Sequence, residues 1–467
     1  MKKILTLLLA LWMLTGCVAM AAGNQLVVGS TTVMSGAFFT DLFGSNTADI
    51  DVRALLHGYN LMSWDNETGT YQINDSVVAG MAVSRDAQNN RVYTFDLYGD
   101  LKFSDGSAIT AKDYAFSILL TASPELAKLG GQSAAVGAIL GMDAYQSGKS
   151  SVLRGVRLLS DTQMSITISK AYEPYFYEMA LFDYSPYPIS VLAPGCKVVD
   201  TEKGVGIVNA GGTGDAIFTA GLLQKTILDA ATGYMSHPSV VSGPYTLTSY
   251  DAQSGTASFA INPYYKGNED GEKPTIETIV YRTVANDEAI DLLLSGEVDL
   301  LNKMVAADTI SKGIQSTADQ PFSVANYPRS GLSMISFSCE RQTVSSKAVR
   351  QAIANCFDRD ALVKAYTGNF RLKANGYFGI GQWMYQLAAG TIQPPVVDLP
   401  ANATAKEIAA YDKTVAQWDA LSLDKLKDYP LDLDQAAKLL DQDEWRLGKD
   451  GIRAKKIDGK TVALDLT

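Results

Sequence analysis

The side chains that carry most bond-making chemistry are scarce in this sequence. There are two histidines, His57 and His237, in 467 residues. Neither has a second His or a Cys close by in sequence, so a zinc site of the usual His and Cys ligands is not expected. A Ser-His-Asp hydrolase would have to use one of these two, and no Gly-x-Ser-x-Gly elbow occurs to present its serine. The glycines of KGVGIVNAGGTGDA (Lys203 to Ala216) form neither a phosphate loop nor a complete Gly-x-Gly-x-x-Gly. That stretch reads as a flexible loop. No cofactor and no metal is expected. Cys196, Cys339 and Cys356 are odd in number and lie in no Cys-x-x-Cys spacing, so no disulfide framework is expected either. Cys356 shares a predicted helical stripe with Val349, Ala352 and Ile353, which points to a buried core thiol.

The fourth cysteine, Cys17, stands in a different context. Lys2 and Lys3 make a basic start, and Ile4 to Leu14 is apolar apart from Thr6. A transmembrane helix needs about 20 residues, so this run is too short to span. A charged start, a short apolar core and small residues after it describe a secretory signal peptide. The ending Leu14-Thr15-Gly16-Cys17 resembles the lipobox of bacterial lipoproteins. The resemblance implies cleavage before Cys17 and lipidation of its thiol and amino group. The other reading is an ordinary cut near Ala21-Ala22 that discards Cys17.

The body of the chain has an ordinary globular balance, 47% hydrophobic and 19% charged. Its length suggests roughly two or three domains. A net charge of -11 excludes the phosphate-neutralising role that nucleic acid demands. It also argues against folding onto an anionic membrane surface.

Positioning elements are legible as short strands mixed with helices. Gln25 to Val33 reads as a strand with a turn at Gly29-Ser30. Tyr93, Phe95 and Leu97 alternate as in a half-buried strand. Asp105-Gly106 is turn chemistry, and Thr110 with Asp113 has the capping-box spacing that starts a helix. Phe116, Leu119 and Leu120 form that helix's apolar stripe. MSITIS (Met164 to Ser169) is another strand. Gly243 to Tyr265 reads as two strands joined near Ser254-Gly255. Ala289 to Leu301 is a helix stopped near Gly296, then a short strand. A helix over Phe218 to Ala230, one over Ser345 to Phe357, and one capped by Asp358 and ended by Gly368 follow from the same signals. The Pro-rich IQPPVVDLPANAT reads as an exposed loop.

Four segments in order resemble the family-5 extracellular solute-binding proteins of ATP-driven importers, which include oligopeptide, dipeptide and nickel receptors. They are VYTFDLYGDLKFSDGSAITAKDYAFS (Val92 to Ser117), SGPYTLTSY with INPYYKG, AVRQAIANCFDRDALV, and LDQAAKLLDQDEWRLGKDGIRAKKIDGKTVALDLT. Tyr265 stands where the family usually has Trp, and Phe357 where Ile is common. Each segment also has a purely structural reading as turns, caps and core stripes.

The resemblance implies an α/β, two-lobed periplasmic-binding-protein type II fold with an extra domain inserted in the first lobe. The implied divisions are a signal peptide at 1–16, lobe I at 17–62 and 184–284, an inserted α+β domain at 63–183, and lobe II at 285–467. It implies a ligand held between lobes that close over it, delivery to the permease subunits of an ABC transporter, and attachment to the membrane through lipid on Cys17. A monomer outside the cytoplasm is expected, in the periplasm or on an outer leaflet. Peptide is the implied ligand, held like an added strand. Another solute on the same scaffold (a nickel chelate, a sugar or an opine) stays open, with a surface lipoprotein enzyme as a distant alternative.

Ligand contacts map to Thr31, Thr32 and Met34 at the end of the first strand, to Asn262, and to Phe182 and Asp183. Asp183 equally suits a solvated loop acid. Trp383, in a Gly-rich loop, is added as a wall, or else a half-buried packing residue. Val462, Leu464 and Leu466 alternate at the end of the sequence, which stops short of the family's usual length. The expectation is a fragment of a longer product with an incomplete second lobe.

Overall fold

The computed structural model describes residues 24–65, 70–132, 137–172, 178–326, 331–367, 372–392 and 403–465. Cys17, the signal segment, Gly368, Leu466 and most of the Pro-rich loop lie outside them. The chain forms two units, one built from described residues up to Met304 and the other from those after it. Residues 285–304, which the sequence reading gave to lobe II, fall in the first.

The first unit is organised on a five-stranded mixed sheet. Its strands are β1 (Gln25–Ser30), β2 (Tyr245–Asp251), β3 (Thr256–Ile261), β4 (Thr278–Thr283) and β5 (Leu300–Asn302), in the order β2-β3-β4-β1-β5. β1 runs parallel to both β4 and β5 and sits between them. It continues through Gly29 and Ser30, where the sequence had suggested a turn; parallel pairing on both sides holds these residues extended. The β2–β3 turn is as expected, with Gly255 at a positive φ.

Val27 and Val28 point to opposite faces, as neighbours in a strand must. Val28 packs with Ala48, Val52 and Leu56 of helix α1 (Thr47–Leu56). Val27 packs beside Ala289 and Leu292 of helix α2 (Ala289–Ser295). Gly296 caps α2 in the left-handed conformation, as its position predicts. Each helix thus covers one face of the sheet.

The SGPY and INPYY segments explain themselves structurally. The Ser242 hydroxyl accepts from Gly58 N and donates to Gly58 O. Gly243 N donates to Leu56 O at 2.8 Å. A Cβ on Gly243 would lie 2.5 Å from the Leu55 carbonyl oxygen, so only glycine permits this approach. The motif ties the β2–β3 hairpin to the end of α1.

A second body of the same unit has the strands Val78–Arg85, Arg91–Leu97, Gln163–Ile168 and Val156–Leu158 in one antiparallel sheet. Tyr93, Phe95 and Leu97 are buried as their alternation predicts. The helix Ala111–Thr121 starts with the expected capping box: Thr110 Oγ1 accepts from Lys112 N, and Asp113 Oδ2 accepts from Thr110 N at 2.8 Å. It is buried nearly all round, including Tyr114, Phe116, Leu119 and Leu120. One continuous core runs from Phe39 through this helix to Tyr234. It crosses both expected boundaries, at 62 and at 183.

Two segments differ from their sequence reading. Gly204–Asn209 is a strand paired with Cys196–Thr201, where a flexible loop was expected, because its Val and Ile residues find a partner strand. The helix expected over 218–230 is confined to Ala220–Thr226.

In the second unit, helix Lys347–Ala354 packs against helix Leu433–Gln442, with Val344, Val349 and Trp445 at their core. Strands Arg453–Ile457 and Lys460–Ala463 pair antiparallel, and Val462 and Leu464 join that core. Asp358 Oδ1 accepts from Ala361 N at 2.9 Å at the start of helix Arg359–Thr367. Cys356 is exposed, not buried. The helix before it ends at Ala354, so Cys356 lies beyond the apolar stripe that its spacing suggested. Cys196, Cys339 and Cys356 are all free thiols.

Candidate functional site at the carboxyl ends of the parallel strands

From β1 the chain turns onto one face of the sheet, and from β4 onto the other. Adjacent parallel strands whose connections diverge in this way leave a crevice at their carboxyl ends, the usual ligand position of open α/β sheets. Here those ends are Ser30, Thr283 and Asn302, in register with one another.

The loop leaving β1 is pinned rather than loose. The Ser30 hydroxyl accepts from Thr32 N at 3.2 Å. Asn46, the N-cap of α1, donates to Val33 O at 2.8 Å. Asp49 accepts from Ser35 N at 2.9 Å and from Gly36 N at 3.2 Å. Thr31 and Thr32 are half-buried and the Val33 side chain is 59% exposed. The main chain of this loop is therefore fixed beside the strand ends.

Around it lies a polar cluster that the sequence reading missed. Asp51, one turn along α1 from Thr47, accepts from Tyr281 OH at 3.0 Å and from Asn302 Nδ2 at 2.7 Å on one oxygen. Its other oxygen takes the Lys303 ammonium. Lys303 also reaches the Thr47 carbonyl at 3.4 Å, and the Thr47 and Thr32 hydroxyls are 3.4 Å apart. Burial pushes the Tyr281 hydroxyl up to about 12, against a lowering hydrogen bond with Ser30 and with the Asp51 charge adding to the rise. Tyr281 is thus a donor at neutral pH. The cluster can offer hydrogen bonds; it has no nucleophile poised beside a base.

Thr31 and Thr32 stand at this end. Met34 does not reach it as a side chain: it is a core residue, 3% exposed, whose carbonyl lies 3.4 Å from Tyr250 OH. Asn262 is 1% exposed. Its Nδ2 donates to Gly243 O at 2.9 Å and its Oδ1 accepts from Tyr264 N at 3.0 Å. Its Nδ2 half ties down the SGPY segment, and its Oδ1 half holds the turn of its own INPYY segment. Phe182 is fully buried, with ring centroids 4.6 Å from Tyr93 and 5.4 Å from Phe95. Asp183 keeps a solvent-facing side and accepts from Asn60 Nδ2 at 2.7 Å. Partial desolvation of its carboxyl raises its pKa, against lowering hydrogen bonds from Asn60 and Tyr71. Trp383 begins the helix Trp383–Ala388 of the second unit and is half-buried.

Only one signal for the cluster was available in sequence. Asp51 lies four residues from Thr47, so one face of α1 carries both. Nothing local connects them with Tyr281, Asn302 and Lys303.

A mixed α/β sheet clothed by helices on both faces, with a crevice at the carboxyl ends of its parallel strands, is the architecture of an open α/β ligand-binding fold. The chain belongs to the bacterial extracellular solute-binding proteins, family 5, whose middle region it matches over residues 76–465. It is 25% identical over 400 residues to the oligopeptide-binding protein OppA of Lactococcus lactis subsp. lactis strain IL1403, covering 83% of this chain and 54% of that protein. The chain thus spans about half the length of the relatives it matches. Among solved structures it resembles lactococcal OppA complexed with an endogenous peptide in the closed conformation, with a TM-score of 0.59 and 20% identity over 94% of this chain and 70% of that one. It also resembles NikZ from Campylobacter jejuni in complex with Ni(L-His), with a TM-score of 0.56 and 15% identity over 94% and 67%. The fold is that of the two-domain, type II periplasmic binding proteins, and the family is one of binding proteins rather than enzymes. No helix among the described residues is long and apolar enough to cross a membrane.

Proposed function

We propose that the chain is the solute-capturing component of an ABC importer, that its cargo is peptide, and that it passes the cargo unaltered to a membrane permease. The observation that carries this reading is the pinned loop after β1. Thr31, Thr32 and the Val33 main chain follow the carboxyl end of β1, with Ser30 holding Thr32, Asn46 holding Val33 and Asp49 fixing Ser35 beyond them. Rigid main chain suits cargo recognised through its own main chain, whose bonds are indifferent to side-chain identity. The oligopeptide-binding relatives support peptide as the cargo class. Lipid on Cys17 would keep the receptor near its permease, where a short tether raises the effective concentration.

A mixed peptide library added to the full chain tests this by thermal shift. Selective binding to the folded state must raise the melting temperature. An unchanged melting curve with peptides, together with a shift from nickel–histidine or a sugar, would replace peptide by that solute. For the anchor, Cys17→Ser is expected to move the protein from the membrane fraction to the soluble one.

A further inference from the structure

The Asp51 cluster pairs a carboxylate with an ammonium beside the carboxyl ends of the parallel strands. Asp51 and Lys303 are partly accessible, their side chains 19% and 27% exposed. Asp51 would keep two donors, Tyr281 and Asn302, if the lysine left. Lys303 is also one of the few non-glycine residues with a positive φ, +56°. Such backbone strain persists only where surrounding contacts impose it, and it gathers at functional sites. It bends the chain after β5 so that two consecutive side chains, Asn302 and Lys303, grip one carboxylate.

We propose that Lys303 is a specificity-determining residue that masks Asp51, so that this end of the site accepts an uncharged part of the ligand. The inference rests on the peptide reading above. A cationic ligand group would have to displace a tethered ammonium that also contacts the Thr47 carbonyl, and tethering gives that ammonium a high effective concentration. An anionic group drawn to Lys303 would sit against the Asp51 carboxylate. Neither net charge is favoured, because the Asp51 carboxylate and the Lys303 ammonium offset one another.

The test uses the full chain, Lys303→Met and Asp51→Asn. The probes are pentapeptides identical except for one residue, which is lysine, norleucine or glutamate at each position in turn. Affinities are read by calorimetry. Wild type is expected to favour norleucine, or to treat the three alike, at the position that meets the cluster. Lys303→Met bares the carboxylate and is expected to gain about tenfold for lysine over norleucine there, equivalent to about 1.4 kcal/mol. Asp51→Asn is expected to gain for glutamate. Binding with the same rank order in all three proteins overturns the masking role and leaves the peptide reading standing. Failure of every peptide to bind wild type overturns the peptide reading and the masking role with it. The two variants change opposite charges, so misfolding of one leaves the other to decide.

Discussion

His57 Nε2 lies 3.0 Å from the Phe38 carbonyl oxygen. A carbonyl only accepts, so the ring must donate and the Nε2-protonated tautomer is the one present. The ring is walled by Phe39, Tyr187 and Tyr234 at centroid distances of 5.9, 6.3 and 6.2 Å. Burial lowers its pKa from 6.5 to about 4, partly opposed by the Phe38 bond. In the unfolded chain it takes up a proton near 6.5. The stability it contributes is therefore complete above that pH and is lost as pH falls towards 4, by up to about 3 kcal/mol. Denaturant titrations between pH 4 and 7 should show this slope, and His57→Gln should flatten it.

Asp113 works in the opposite direction over an overlapping window. Burial raises its carboxyl to about 6, against the Thr110 hydrogen bonds. A folded-state pKa above the unfolded one gives stability that is complete below about 3.8 and lost as pH rises through 6. Asp113→Asn should therefore steepen the net loss of stability on acidification that His57 produces. An unchanged pH profile in this variant would refute the assignment.

Asn262→Ala removes both hydrogen bonds that its amide makes and strands the Gly243 carbonyl and the Tyr264 N–H. A cost of about 2 kcal/mol is expected in urea melts. Peptide affinity of the folded fraction should be unchanged, because the amide faces inward. A loss of affinity without loss of stability would restore Asn262 to the ligand surface.

Phe182→Ala should cost about 3–5 kcal/mol, the range for emptying a fully buried aromatic site. Phe182→Leu should cost less. Equilibrium unfolding separates these from a pocket role, in which stability would barely move and affinity would fall.

Gly243→Ala places a methyl group 2.5 Å from the Leu55 carbonyl oxygen. Either α1 or the β2–β3 hairpin must shift, at about 3 kcal/mol. Faster amide exchange at the end of α1 is the expected local signature.

The features legible in sequence were those set by neighbours along the chain. The Thr110–Asp113 cap spans four residues, the Tyr93–Phe95–Leu97 alternation five, and the Gly296 stop depends on one residue's freedom at positive φ. Family motifs were equally readable, yet SGPY and INPYY proved to be fasteners, and Asn262 one of their pins. A motif marks which residues are needed, while the partners of a side chain decide whether it is needed for the fold or for a ligand. Cys356 shows the same limit at a smaller scale: its spacing fits an apolar stripe, and the helix ended before reaching it.

By itself the sequence determined most of the local elements, since each depends on residue types at short spacing, and its resemblance to a known family pointed to the fold class. Only the tertiary structure decided that Phe182 and Met34 are core, and that Asp51 meets Lys303, 252 positions away. Closing so long a span depends on the order of strands in the sheet and on α1 lying over one face. Those are outcomes of packing the whole unit, and no local pattern encodes them.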